Sequence, residues 1–309
     1  MANVIGLIVT LLVVGFFLYR QHKAERTQSS SPKRINPKPD PNDTTDWPAV
    51  VAKATDSAMA QEKPAVALDM TSAANTDAPH SCIGGRPSLP KDMGWPVDAH
   101  GKPMLFLAQI NFQDMPALAG YPATGLLSVF VTDDDLNGCD FPSIDQKGFK
   151  TFYFGDTADL TRHDLPEVTW EFSPLSDKLL QEGRRVTGRA ATGVPSPNSN
   201  TVAELTKDWY PNCPSDLWDE LWDALSKAKP GILYYGGHPD FTQDDFRRAG
   251  SEPTYLQYTE VLLQMGFFYH RETGIEVCWG DAGEACFLMT KDDLSARRFN
   301  RSAYNWDCS

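Results

Sequence analysis

No charged side chain occurs in the first 19 of the 309 residues, no C-x-x-C pair occurs anywhere, and basic residues are scarce, with 28 Lys plus Arg against 41 Asp plus Glu. Each shortage excludes something. The formal charge of −13 disfavours nucleic acid, because affinity for phosphate backbones comes from Lys and Arg displacing condensed counterions. Six scattered cysteines (Cys82, Cys139, Cys213, Cys278, Cys286, Cys308) are too few for a disulfide framework and lack the spacing of a zinc ribbon or a thioredoxin-like motif. There is no Walker A loop, G-x-G-x-x-G, H-E-x-x-H, G-x-S-x-G or EF-hand loop, so no cofactor and no metal is expected.

What is present begins with an uncharged apolar run. Residues 1–19 span about 28 Å as a helix, close to the roughly 30 Å of bilayer hydrocarbon, and Arg20, Lys23 and Arg26 follow at once. A cleaved signal peptide has the opposite order, with basic residues before the run. The expectation is a single-pass transmembrane anchor at 1–19 in the cell membrane, with the body held cytoplasmic by its positive flank. Residues 20–45 read as a basic, Pro- and Ser-rich linker that cannot offset its ordering entropy. Residues 1–45 carry +3, which leaves −16 on the other 264.

Residues 46–63 read as a helix packed on the body, with Asp46 as cap, Pro48 in the first turn, and Val50, Val51, Ala54 and Ala58 on one face. The body, 64–294, contains a duplication, and 295–309 reads as a tail. Ile83-Gly84-Gly85-Arg86-Pro87 is followed by Gln109 inside the strand-like run Met104 to Phe112. Tyr235-Gly236-Gly237-His238-Pro239 is followed by Gln264 inside Tyr258 to Phe268. Trailing strands are expected at Leu126 to Thr132 and Ile275 to Trp279. Paired glycines admit positive φ and proline fixes the exit, so each pair reads as a tight entry to a sheet. A glutamine in an apolar strand needs hydrogen-bond partners if buried, which makes Gln109 and Gln264 structural braces ahead of ligand-binding groups.

Ser215 to Ala228 reads as an amphipathic helix capped by Ser215, with Leu217, Trp218, Leu221, Trp222 and Leu225 on its core face. Gly183 to Thr201, rich in Gly, Ser and Pro, reads as a long mobile loop carrying Arg184, Arg185 and Arg189.

Ile83-Gly84-Gly85-Arg86-Pro87, Leu107-Ala108-Gln109-Ile110 and Cys278-Trp279-Gly280-Asp281-Ala282-Gly283, in that order, resemble the YwqG-like bacterial family of unknown function. The resemblance covers about Pro64 to Leu294. It implies an α+β fold with duplicated β-rich units forming one body, and it carries over no catalytic residue.

Candidate chemistry is sparse. His238 and Asp240, with Asp244 and Asp245, have metal-ligand chemistry, but a surface loop after a Gly-Gly turn is commonly rich in Asp and a true site needs partners from elsewhere, so the loop reading is the favoured one. Asp133 to Asp135 read as a solvated turn. Trp279 and Asp281 sit in a turn where Gly283 suits the left-handed position. That register would set Cys278 opposite Cys286, within disulfide reach if the body were exported. The leading functional expectation is a non-enzymatic binding protein whose acidic body engages a basic protein partner, an immunity-type inhibitor being one version. The alternative is a hydrolase or metal-dependent enzyme using His238, Asp240 and Asp281.

Overall fold

Two long antiparallel strands, β1 (Lys63–Ala73) and β8 (Arg184–Gly193), run side by side at the middle of the molecule, with partners from Lys63 opposite Gly193 to Ala73 opposite Arg184. The computed structural model describes residues 43–73, 79–247 and 253–308; the expected anchor at 1–19 and nearly all of the linker lie outside them. Among the described residues no helix is long and apolar enough to cross a membrane.

On one flank of the central pair stand β2 (Cys82–Ile83), β4 (Leu105–Asn111), β5 (Leu126–Val131) and β6 (Phe149–Phe154). On the other stand β9 (Leu233–Gly236), β10 (Tyr258–Met265), β13 (Glu284–Thr290) and β14 (Ala303–Asp307). The order is β14-β13-β10-β9-β1-β8-β2-β4-β5-β6, a ten-stranded antiparallel sheet. Its two ends meet. Ser143, just before β6, bridges Tyr304 of β14, and the Phe149 and Tyr304 rings lie 5.3 Å apart, so the sheet is nearly closed around one apolar core. The fold is mixed α+β and mostly β, and each repeat supplies one flank.

The small remaining strands form two ribbons, β3 (Ser88–Pro90) with β7 (Leu160–Arg162) and β11 (Phe268–His270) with β12 (Ile275–Val277). This corrects the second trailing strand. Ile275–Val277 turns back on β11, and the counterpart of β5 is β13, whose Glu-Ala-Cys-Phe-Leu-Met-Thr run is buried at its five central positions. Ala303–Asp307, in the segment read as a tail, pairs with β13 along its whole length.

Of the expected mobile loop at 183–201, a short connection at 194–199 is left before the start of a helix, and residues 184–193 are instead β8. Its glycines serve close packing: a Cβ on Gly188 would stand 2.5 Å from Met115 Sδ and 2.8 Å from both Pro116 and Val66, and one on Gly193 would meet Pro230. A strand rich in Gly and Arg reads as a loop from composition alone, because the neighbours that need its missing side chains are remote in sequence.

The described residues also form five α-helices, α1 (Trp47–Met59), α2 (Asp177–Glu182), α3 (Asn200–Thr206), α4 (Ser215–Lys227) and α5 (Lys291–Ser295), besides short 3-10 turns. Asp46 caps α1 through Ala49 N–H, and Val51, Ala54 and Ala58 are buried against α4 and α3. The α4 cap differs from expectation. Pro214 holds the cap position and no side chain caps the helix, while Leu221 and Leu225 alone are fully buried. Trp218 packs edge-on against Tyr210 at 4.4 Å, and Trp222, expected in the core, is 36% exposed.

Candidate functional site

Each Gly-Gly pair leaves its strand with both residues at positive φ, +62° and +74° at Gly84 and Gly85, +73° and +67° at Gly236 and Gly237. Neither turn is an open cradle. A Cβ on Gly84 would lie 2.2 Å from the Leu179 carbonyl oxygen, and one on Gly236 would lie 2.5 Å from Leu118 and 3.1 Å from the Pro64 carbonyl oxygen. Beyond each turn, past Pro87 and Pro239, the chain crosses the glutamine of its own repeat. Gln109 Oε1 accepts from Ser88 N–H at 2.9 Å and its amide donates to the His80 carbonyl. Gln264 Oε1 accepts from Asp240 N–H at 3.2 Å and Nε2 donates back to the Asp240 carbonyl at 3.1 Å. Ser88 and Asp240 each follow their Gly-Gly-x-Pro directly, so the two glutamines perform the same task. Both are essentially buried, and two charge-neutral bonds to a crossing backbone are the satisfaction that such an amide requires.

The second repeat adds charge. Lys229 Nζ lies 2.9 Å from Asp240 Oδ2 and 3.2 Å from Glu284 Oε1, Ser196 Oγ donates to Asp240 Oδ1 at 2.6 Å, and Gln264 Nε2 donates to Glu284 Oε2 at 3.0 Å. Burial pushes the Glu284 carboxyl up to about 7, the Asp240 charge pushing the same way and Lys229 against it. Burial works against the Lys229 ammonium, but the Asp240 and Glu284 carboxylates outweigh it and hold its pKa above the ordinary lysine value. Directly opposite Glu284 in the β13–β14 ladder is Asp307. It accepts from Thr242 and Gln243 N–H at 3.1 and 2.7 Å, and burial lifts it to about 6.

His238 points elsewhere. Its Nε2 meets the Gln61 carbonyl at 2.7 Å, which makes Nε2–H the donor, and burial lowers its pKa to about 4. The space lined by Ser196, Lys229, Tyr234, His238 and Asp240 measures about 10 Å³, the size of one water. Asp245 is ion-paired to Arg247 at 2.6 Å and fully buried, and no metal-holding group of His, Cys, Asp or Glu occurs among the described residues. Ser196, Lys229 and Glu284 were not singled out from the sequence. The one signal for Glu284 was a carboxylate opening an otherwise apolar strand.

The remaining candidates part from expectation. Asp133 is buried rather than solvated, ion-paired to Lys102 at 2.8 Å and accepting from Glu171 and Phe172 N–H, while Asp134 accepts from Leu136 and Gly138 N–H. Trp279 and Gly283 bridge across the turn, but the left-handed positions are Gly280 and Ala282, between which Asp281 lies. Gly283 is needed for a different reason: its Cβ would sit 1.9 Å from the Asp307 carbonyl oxygen. Cys286 is paired across the ladder with Gln264 and Asn305 instead of Cys278, and no disulfide links any of the six cysteines. The Trp279 ring is buried among Tyr304 and Trp306.

No curated protein matches the chain. Residues 81–308, from the strand before the first Gly-Gly pair to the end of β14, match a family described as a domain of unknown function, and the chain belongs to that family, DUF1963.

Proposed function

We propose that this protein is a non-enzymatic binding protein that engages a cationic protein partner, held at the cytoplasmic face of the membrane by residues 1–19. The observation that carries the reading is where the charge goes. The polar groups of the candidate site are consumed in holding the fold, around a space of about 10 Å³. The outer face of α4 leaves Asp216, Asp219 and Glu220 exposed and without ion-pair partners among the described residues, beside the exposed Trp222. Carboxylates around an aromatic face suit Lys and Arg, by Coulomb attraction and by cation–π contact. The YwqG-like assignment stands beside this as a finer reading, supported by the order of the three motifs.

The test is capture of host proteins on the full chain across a salt series. Retention of basic proteins at low salt, lost as salt rises and weakened by charge reversal (Asp216→Lys, Asp219→Lys and Glu220→Lys together), supports the reading. Retention of none, or retention indifferent to salt, defeats it. A hydrolase centred on His238, Asp240 and Asp281 would instead lose its cellular phenotype on alanine replacement of those three while partner capture persisted. The anchor has its own check, a carboxyl-terminal reporter that is active in the cytoplasm and silent outside it.

A further inference from the structure

The connection from β5 to β6, residues 132–148, leaves three large apolar side chains in water: Leu136 at 44%, Phe141 at 50% and Ile144 at 43% exposure. Connections usually keep such side chains inward or lack them, and three on one 17-residue connection, two of them held on Trp306, suit a contact surface. The segment is also firmly held. Trp306 Nε1 donates to the Leu136 carbonyl at 2.6 Å, Tyr304 OH to the Asn137 carbonyl at 3.1 Å, and Ser143 pairs with Tyr304 through both backbone groups. Gly138 and Gly148 stand back to back, each so close that a Cβ on one would meet the other's carbonyl oxygen at 2.0 Å or less.

Phe141 has φ of +37°, a left-handed conformation that is strained for a bulky side chain and persists only when its surroundings impose it. Its ring rests on Trp306, 5.7 Å between centroids, with half its surface in water. Interleaved with the three apolar residues in the same connection are exposed Asp135, Asp140 and Asp145; Asp145 is ion-paired to Lys147 at 2.6 Å, and the Asp140 charge also acts on Lys147.

We propose that the 132–148 connection is a docking surface for a protein segment that presents an apolar side chain flanked by Lys or Arg. The proposal rests on the reading of a cationic partner and adds the anchor that makes contact specific. Its three exposed apolar side chains supply buried area, its exposed carboxylates select a basic flank, and its fixed backbone spares the ordering cost that a loose loop would incur. Two other occupants fit less well. Anionic lipid would be repelled by the three carboxylates, and a second copy in a two-fold contact would set the same carboxylates against themselves.

The experiment measures binding of three labelled 15-residue peptides to the full chain by fluorescence anisotropy. One combines Leu and Phe with Lys and Arg, one keeps the apolar residues but carries Glu and Asp, and one keeps Lys and Arg but has Ser for the apolar residues. The expected result is at least tenfold tighter binding of the first, loosened at least fivefold by Leu136→Ser and by Ile144→Ser. Both side chains are exposed, so melting temperatures should stay unchanged. Equal affinity for the first and third peptides, or indifference to both substitutions, overturns the proposal. So does substitution-sensitive binding to phosphatidylglycerol vesicles or substitution-sensitive self-association. If the third peptide binds and depends on Asp216, Asp219 and Glu220 while the first binds no tighter, this proposal alone fails. If no cationic peptide binds, the cationic-partner reading fails with it.

Discussion

At Glu284 and His238 the same burial gives opposite dependences of stability on pH. Glu284 has its folded pKa raised to about 7, so the folded protein holds that proton more tightly than the unfolded chain. Its contribution is fully present below the ordinary carboxylate range and is lost as pH rises through about 7. Asp307 acts in the same direction through about 6. His238, lowered to about 4, is held neutral; its contribution is present above the ordinary histidine value and is lost as pH falls toward 4. The two slopes oppose each other across the same window and partly cancel in the intact protein. Glu284→Gln keeps an acceptor for Gln264 and removes the larger of the two carboxylate contributions, leaving that of Asp307. We expect stabilisation at pH 8 on the order of 1 kcal/mol, about 2–4 °C in melting temperature, and a remaining slope in which stability falls with acid. A variant that melts lower at pH 8, or that retains a fall in stability between pH 5 and 8 as steep as the wild type's, would contradict the assignment. The glutamines make a paired test. Gln109→Leu and Gln264→Leu each strand buried backbone groups and should each cost about 2–4 kcal/mol, read by urea unfolding. A neutral effect at either would show that its bonds are not braces.

Elements repeated in the sequence were legible, and elements whose reason lies in a distant neighbour were not. The Gly-Gly turns and the strands β4 and β10 stand out because the chain states them twice, and α1 because cap, proline and small apolar face all agree. By contrast β8 announces nothing. Its alternation is blurred by Arg184, Arg185, Gly188 and Arg189, whose remote partners are Ile83, Cys82, Met115 and Asp69. Of the two strand-like runs that flank Trp279 to Glu284, the β-branched and aromatic content of Ile275 to Trp279 points to the trailing strand, while the counterpart of β5 is β13, and only the register with β10 separates them. In the candidate site, Asp240 and Gln264 were visible through the repeat, while Ser196 and Lys229 come from segments outside it. Gly188→Ala discriminates the two views of residues 183–201. In a loop the change would be neutral or mildly stabilising. In this strand the new Cβ must displace Met115, Pro116 and Val66, and we expect a loss of about 1–3 kcal/mol by thermal or urea unfolding.

For the molecule as a whole, the strand that joins the two repeats lies outside the span by which the family is recognised. The match begins at residue 81, whereas β1, Lys63–Ala73, sits between β8 of one flank and β9 of the other. Ala65, Val66, Ala67 and Leu68 are each under 5% exposed, and Val66 and Leu68 belong to the main core. Without β1 the strand β8 loses nine backbone partners and β9 loses three, which opens one long and one short hydrogen-bonding edge in the middle of the sheet. An exposed edge as long as that of β8 favours pairing with other chains over closure. A chain limited to 81–308 should therefore be recovered as aggregate or without a cooperative melt. One beginning at residue 43 retains α1, β1 and the helical layer formed with α3 and α4, and should melt cooperatively. Circular dichroism and size-exclusion chromatography of the two chains decide the matter. A soluble, cooperatively folded 81–308 would mean that the two repeats close on each other without β1.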